Sequence, residues 1–147
     1  MLARDLMTPL PAVIAADDTI TAAAELMLTR GVGLLPVVEN LDDRRLVGVI
    51  TDRDIVLRHV APGHGGGAKV REHMTRDPIT VIPLDGVDDI EMKMRRNQVR
   101  RLPVVDAAGS VVGIIAQADL AVAVGPRDPQ LIERVVEAIS RPGALVP

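Results

Sequence analysis

The sequence contains no phenylalanine, tyrosine or tryptophan among its 147 residues. A core must therefore be built from valine, isoleucine, leucine, alanine and methionine side chains. Proteins that bind single-stranded nucleic acid stack bases on aromatic rings, and this chain has none of these three residue types. A net charge of −3 also gives no general attraction to polyanions. We therefore expect no nucleic-acid partner.

Cysteine is absent as well, which excludes disulfides, thiolate nucleophiles and cysteine-bound zinc. Residues 1–9 lack the basic stretch and the apolar run of a signal peptide, and no segment approaches the ~18 consecutive apolar residues of a membrane helix. These absences predict a cytoplasmic protein without a membrane partner. The sequence has no nucleophile elbow and no histidine with an orienting acid at motif spacing, so we expect no enzyme and no catalytic residues.

Three segments of the chain occur twice in the same order, the first two at an offset of 67 residues. This order makes chance similarity implausible and predicts a tandem duplication. The matched segments are Arg4–Thr8 with Arg71–Thr75, Leu35–Val38 with Leu102–Val105, and Leu46–Ile55 with Val111–Leu120.

Each copy has the pattern strand, helix, strand, strand, helix, which predicts an α+β fold of two β-α-β-β-α repeats. One copy cannot cover both faces of its sheet, so we expect the two to pack as one pseudo-symmetric domain. The predicted boundaries are residues 1–61 for repeat 1, 62–69 for a glycine-rich linker, 70–125 for repeat 2, and 126–147 for a C-terminal amphipathic helix and tail.

The sequence predicts the buried face of a helix in the first copy and the residues that end this helix and its counterpart. In the first copy a strand over Ala12–Ile14 precedes a helix whose buried face is expected to carry Ile20, Ala23, Ala24 and Met27. Gly31 should end this helix in the left-handed conformation, and Asn97 should end its counterpart.

Two further patterns concern edges and partners. Pro36 and Pro103 lie inside strand runs, which favours an edge position or a strand start because proline cannot donate to a sheet. The C-terminal helix carries a stripe that needs a partner, either the duplicated core or another subunit. The stripe consists of Leu131, Ile132, Val135, Val136 and Ile139.

The strongest local motif is Gly48–Asp54, at a junction between a strand and a helix. The start of a helix suits a phosphate, and Asp54 could accept hydrogen bonds from ribose hydroxyls. Thr51 and Asp54 also form a capping-box pattern, in which each side chain satisfies the other residue's backbone N–H. In the second copy Ala116 replaces the threonine while Asp119 is kept. A box without its hydroxyl gives a weaker structural reason for Asp119, which favours a ligand role there.

These motifs, the two Leu-Pro-Val-Val strands and the duplication resemble a pair of cystathionine-β-synthase (CBS) domains, often called a Bateman module. The resemblance covers residues 4 to about 122. It implies two repeats packed through their sheets around a pseudo-twofold axis, with clefts between them for adenosine-containing ligands such as AMP, ADP, ATP or S-adenosylmethionine. It also implies a homodimer. Stand-alone bacterial two-CBS proteins, including those of the hypoxic-response type, are loosely similar.

The resemblance implies that the two aspartates hold ribose hydroxyls and that short apolar segments line the base pockets. Arginine suits phosphate oxygens, so Arg100 or Arg101 could neutralise a phosphate, whereas Arg95 and Arg96 are better explained as a solvated edge balanced by acidic neighbours. The predicted ligand contacts are Val13, Ile14, Pro36, Thr51, Asp54, Ile79, Thr80, Val81, Arg100, Arg101, Pro103 and Asp119.

No metal site is expected, because His59, His64 and His73 lack the spacing of ligands on one helix face and are best explained as solvated. The resulting hypothesis is a regulatory sensor that requires no cofactor, binds an adenosine-type ligand and signals to a partner protein. The alternative is a structural or interaction dimer with degenerate ligand sites, which the loss of threonine at Ala116 favours.

Overall fold

The computed structural model describes residues 1–65 and 67–141. The chain forms mixed α and β structure, which confirms the predicted α+β class. The helices are α1 (Ala3–Leu6), α2 (Ile20–Arg30), α3 (Asp52–Asp54), α4 (Val87–Asn97), α5 (Gln117–Ala123) and α6 (Pro129–Ser140), and α3 continues into a π-helical segment, Ile55–Val60. The strands are β1 (Thr8–Pro9), β2 (Ile14–Ala15), β3 (Leu34–Val38), β4 (Leu46–Thr51), β5 (Thr75–Arg76), β6 (Arg101–Val105) and β7 (Val111–Ala116).

The chain divides into two compact units, each with its own sheet and core. The first-repeat unit contains residues 12–78 and 108–110, and its sheet has the strand order β2-β3-β4-β5. The second-repeat unit contains residues 1–11, 79–107 and, among the described residues, 111–141, and its sheet has the order β1-β7-β6. The two units are built alike, because Ile14 lies parallel to Val37 in one and Val81 lies parallel to Val104 in the other.

The compact units do not follow the order of the repeats along the chain. Strand β1, at the start of the first copy, pairs with β7 of the second copy, so that Thr8 lies opposite Ile114. Strand β5, at the start of the second copy, pairs with β4 of the first, so that Thr75 lies opposite Val49. Each copy's opening segment therefore completes the sheet formed by the other copy.

Glycines on β4 and β7 leave room for the opening segment of the other copy. At Gly48 an added Cβ would lie 2.7 Å from the carbonyl oxygen of Thr75 and 2.8 Å from Sδ of Met74. At Gly113 it would overlap Sδ of Met7, the residue equivalent to Met74 in the other copy. The repeated methionine of the opening segment thus packs directly on a glycine backbone.

Two expectations about the helices need correction. Residues Ile20, Ala23 and Met27 are buried on α2 as predicted, but Ala24 is exposed, because it falls outside the arc of the helix that faces the core. Gly31 ends α2 at φ 64°, as expected. Helix α4, however, ends at Gln98 with φ 53°, because Asn97 is still helical and donates its side-chain amide to the Lys93 carbonyl.

The two prolines occupy equivalent positions, and neither lies on a free sheet edge. Pro103 lies on β6, the last strand in the order of its sheet, but Val81 pairs in parallel with Val104 on the outer side of that strand. Pro36 lies on β3, which is flanked by β2 and β4. The internal position is tolerated because pairing between β2 and β3 begins only at Val37, so no partner strand lies beside Pro36 on that side.

The stripe on α6 finds its partner within the second-repeat unit. Leu131, Val135 and Ile139 are buried in the core that also contains Ile90 and Met94 of α4, and Ile132 packs against that core. Val136 is the exception, because it is 41% exposed. Packing on the duplicated core therefore accounts for most of the stripe. Among the described residues, no helix has both the length and the apolar character needed to cross a membrane.

Candidate nucleotide-binding sites

The predicted ligand contacts separate into two sets, one in each compact unit. Val13, Ile14, Pro36, Thr51 and Asp54 belong to the first-repeat unit. The remaining seven belong to the second-repeat unit. They are Ile79, Thr80, Val81, Arg100, Arg101, Pro103 and Asp119.

In the first-repeat unit the end of β4 forms a complete capping box. The Thr51 N–H donates to Oδ2 of Asp54, and the Asp54 N–H donates to Oγ1 of Thr51, both at 3.0 Å. Thr51 is only 1% exposed. The capping role of the threonine is therefore observed, whereas its role as a ligand contact remains a prediction.

Asp54 has one carboxylate oxygen that the capping box does not use. Its side chain is 15% exposed, and Oδ1, the oxygen outside the cap, lies 3.7 Å from Nε of Arg58. At that distance the arginine is an ion-pair partner rather than a hydrogen-bond donor. Oδ1 is therefore the atom of this carboxylate that can accept a hydrogen bond from a ligand hydroxyl.

The second-repeat unit keeps the carboxylate half of the box without the threonine. The Ala116 N–H donates to Oδ2 of Asp119 at 2.7 Å, equivalent to the Thr51–Asp54 bond. Asp119 therefore keeps a structural role without the hydroxyl, so the missing threonine is not by itself evidence for a ligand role there. Within residues 1–65 and 67–141, Oδ1 of Asp119 has no hydrogen-bond partner. Like Oδ1 of Asp54, it can therefore accept a hydrogen bond from a ligand.

The residues expected to line the base pockets differ in accessibility. Ile14 and Val81 are 5% and 0% exposed and belong to the two cores, and Pro36 and Pro103 are also buried. Val13 and Thr80 are half-buried, and Ile79 is 40% exposed. Val13, Ile79 and Thr80 are therefore the members of these segments whose side chains a ligand can reach.

In the first-repeat unit, the predicted ligand contacts Val13 and Thr51 lie at strand ends of the same sheet. Val13 precedes β2, and Thr51 ends β4, with β3 between the two strands. Neighbouring strands are about 4.8 Å apart, so these ends are separated by about 10 Å across the sheet. In the second-repeat unit, the Val81 N–H donates to the Pro103 carbonyl at 3.0 Å and places the equivalent segment beside β6.

Arg100 and Arg101 line a cavity of about 280 Å³ in the second-repeat unit. Arg101 is paired with Ala116 on the adjacent strand, and the Gln117 N–H donates to the Arg100 carbonyl at 2.8 Å. Ile132 and Val136 of α6 form the opposite wall. The volume lies just below the ~300–1,000 Å³ typical of ligand pockets. Asp119 and the Ile79–Val81 segment are not among its lining residues.

Arg95 is part of an ion-pair network, as expected for a solvated edge. Its Nε lies 2.9 Å from Oε1 of Glu91, and Nε of Arg134 on α6 lies 3.6 Å from the same oxygen. Arg96 lines a second cavity, of about 350 Å³, between α4 and α6. None of the predicted ligand contacts lies in that cavity.

Two of the three histidines are buried rather than solvated, which corrects the sequence expectation for that pair. His59 and His73 are each 6% exposed, and only His64 lies on the surface. Burial is the largest cause of a lowered pKa at His73, and the neighbouring His59 and His64 lower this pKa further. Helix spacing does not reveal this cluster, because the three rings meet only where the chain turns back. The missing signal is the Pro62–Gly63 turn, which follows His59 and turns the chain back.

The CBS domain family model matches residues 3–60 and 70–125, so the chain belongs to the CBS domain family. This confirms the resemblance drawn from the repeated motifs. The chain is 41% identical over 119 residues to the CBS domain-containing protein YhcV of Bacillus subtilis, covering 81% of this chain and 82% of YhcV.

Three solved structures are similar in fold. Hypoxic Response Protein I with two coordinated zinc ions is 34% identical, with a TM-score of 0.75 and coverage of 84% of this chain and 98% of that one. The CBS domain pair of protein MJ0100 in complex with 5-methylthioadenosine and S-adenosyl-L-methionine is 30% identical, with a TM-score of 0.72 and coverage of 86% and 98%. CBSX2 in complex with AMP is 29% identical, with a TM-score of 0.71 and coverage of 84% and 95%.

Proposed function

We propose that this CBS-domain chain is a non-enzymatic regulatory module that binds adenosine-containing nucleotides at one site in each compact unit. The observation that carries the proposal is the equivalent placement of Asp54 and Asp119. Each uses Oδ2 to cap the backbone at the end of a strand and has Oδ1 left over. A capping role alone requires only one oxygen of each carboxylate.

The free oxygen has the chemistry that a ribose requires. A carboxylate accepts hydrogen bonds only, and the two neighbouring hydroxyls of a ribose are donors that suit it. A hydrogen bond to a charged group contributes about 1.5–3 kcal/mol, enough to select a nucleoside over a ligand without a ribose.

The two sites differ in what they offer to a phosphate. In the second-repeat unit Ala116 has no hydroxyl, but it lines a cavity together with Arg100 and Arg101. Guanidinium donors recognise phosphate oxygens in pairs. We therefore assign phosphate binding in this unit to the two arginines rather than to the end of the strand.

Related structures support this choice of ligand class. The MJ0100 pair is in complex with S-adenosyl-L-methionine, and CBSX2 is in complex with AMP. The candidates for this chain are accordingly AMP, ADP, ATP and S-adenosylmethionine, acting as regulatory ligands rather than as cofactors. The cytoplasmic location and a regulated partner protein remain predictions.

Titration calorimetry with these four ligands tests the proposal. We expect saturable binding of at least one, and a higher melting temperature in its presence because the ligand binds only the folded chain. Protein concentration must be measured from peptide absorbance, since tyrosine and tryptophan are absent. No heat and no thermal shift with any of the four at millimolar concentration would favour the alternative, a structural dimer with degenerate sites.

A homodimer is part of the proposed assembly, and an exposed apolar surface supports it. Val56, Leu57 and Val60 of the π-helical segment are 53%, 50% and 60% exposed. We expect a dimer by light scattering and a monomer for Leu57→Glu, because a carboxylate in an apolar contact is costly to bury. Leu28→Glu is the matched control, since Leu28 is 84% exposed on α2 of the same unit. A dimeric Leu57→Glu chain would place the interface elsewhere.

A further inference from the structure

All three histidines of the chain meet in one cluster in the first-repeat unit. His59 lies near the end of the π-helical segment, His64 follows the turn after it, and His73 follows the short 3-10 helix Val70–Glu72. The ring centroids are separated by 5.1, 5.2 and 6.0 Å. One ligand atom from each residue lies within 4.8 Å of the others. The sequence brings these rings together from positions spread over fifteen residues.

The separation of the nitrogen atoms suits a tetrahedral cation. Nδ1 of His59 and Nε2 of His73 are 3.3 Å apart. Zinc binds imidazole nitrogen at about 2.0–2.1 Å, so two ligands of a tetrahedral site are about 3.3–3.4 Å apart. A single proton shared between the two nitrogens also fits this distance, but it leaves the third ring without a role.

Burial of two of the three rings favours a ligand role for the cluster over a solvated one. His59 and His73 are buried, whereas His64 is exposed and leaves one side open to water. A neighbouring cation is Arg58, whose Nη1 donates to the His73 carbonyl at 3.2 Å. Its charge opposes a metal ion, but it is partly offset by Asp54, 3.7 Å from Nε.

We propose that His59, His64 and His73 form a binding site for a divalent transition-metal cation with a preference for imidazole, Zn²⁺ above all, with water in the fourth position. Imidazole ligands suit Zn²⁺, Ni²⁺ and Cu²⁺ rather than Mg²⁺ or Ca²⁺. His59 precedes the predicted linker, residues 62–69, His64 lies within it, and His73 follows it. Bound metal therefore fastens the end of the π-helical segment to the turn before β5.

Titration of the untagged, chelator-treated chain with ZnCl₂ tests this site. We expect one zinc per chain and a melting temperature raised by about 5 °C at saturating zinc. Co²⁺ in place of zinc should give the intense visible spectrum of a tetrahedral site. His64→Ala is the main variant, because an exposed side chain can be removed without opening the core. It should weaken zinc binding by more than about 100-fold, since even changes outside the ligand set cost 10–100-fold.

The controls separate this site from surface binding. Glu133→Gln removes an exposed carboxylate on α6 and should leave zinc affinity unchanged. His59→Gln should abolish the zinc-dependent thermal shift, and circular dichroism shows whether that chain is folded. Zinc binding that is absent from the wild-type chain, or that survives both histidine substitutions, would overturn the proposal and leave a hydrogen-bonded histidine pair. Neither result depends on nucleotide binding.

Discussion

An Asp54→Asn chain is expected to bind nucleotide at the first-repeat site about 10- to 100-fold more weakly, while its stability changes little. Asparagine keeps one carbonyl oxygen that can still accept from the Thr51 N–H, so the cap survives. Its amide group replaces the second oxygen with a donor, which cannot accept from a ribose hydroxyl. Loss of a hydrogen bond to a charged group, about 1.5–3 kcal/mol, gives this range. Calorimetry with the tightest-binding of the four ligands measures it.

Asp52→Asn is the matched control for this experiment. Asp52 lies on the same turn and is exposed, and removing its charge alters the local potential by a similar amount. Removing negative charge should, if anything, strengthen the binding of an anionic nucleotide. Weaker binding in Asp54→Asn alone therefore reports a direct contact. Equal affinities in Asp54→Asn and the wild-type chain would reduce Asp54 to a capping residue.

A Gly48→Ala chain is expected to lose about 1–3 kcal/mol of unfolding free energy. The added methyl group would lie 2.7 Å from a backbone oxygen of β5 and 2.8 Å from Met74 Sδ, so strand β5 must shift away from β4. Urea denaturation followed by far-ultraviolet circular dichroism measures the loss, because the chain has no tryptophan fluorescence.

Gly65→Ala is the control for glycine substitution. No atom lies within 4 Å of an added Cβ at Gly65, so this variant should be as stable as the wild-type chain or slightly more stable. A Gly48→Ala chain that matches Gly65→Ala in stability would contradict the close packing of the Thr75 segment on β4.

Local patterns predicted much of the fold because they encode local structure. The Leu-Pro-Val-Val runs form β3 and β6, and Gly31 ends α2 with positive φ. The 67-residue offset reappears in space, with Ile14 beside Val37 and Val81 beside Val104. Such features depend on a few consecutive residues and on one repeat distance, both of which are visible in a single sequence.

Pairing over long distances was not predictable in the same way. The sequence of Arg4–Thr8 does not indicate whether it pairs with β7 of the second copy or with β4 of its own. The two strands have similar sequences, so either pairing fits the pattern. The histidine cluster was missed for a related reason. His73 reaches His59 only when the intervening chain returns, and helix spacing contains no information about that return.

The candidate site was predicted in its residues more than in their roles. Thr51 and Asp54 lie where the motif placed them, but the hydroxyl is buried in the cap. Asp119 was assigned to a ligand because its threonine partner is missing, whereas the Ala116 N–H still requires the carboxylate. A sequence shows which groups are adjacent, but only coordinates show which of their atoms are already engaged.

A crystal structure of the chain with the tightest-binding nucleotide tests the central claim most directly. The proposed function predicts ribose hydroxyls within about 2.5–3.0 Å of Oδ1 of Asp54 or Asp119, with Oδ2 still bound to the strand end. A nucleotide bound away from both carboxylates, or one whose ribose hydroxyls make no hydrogen bond to either Oδ1 atom, would contradict it.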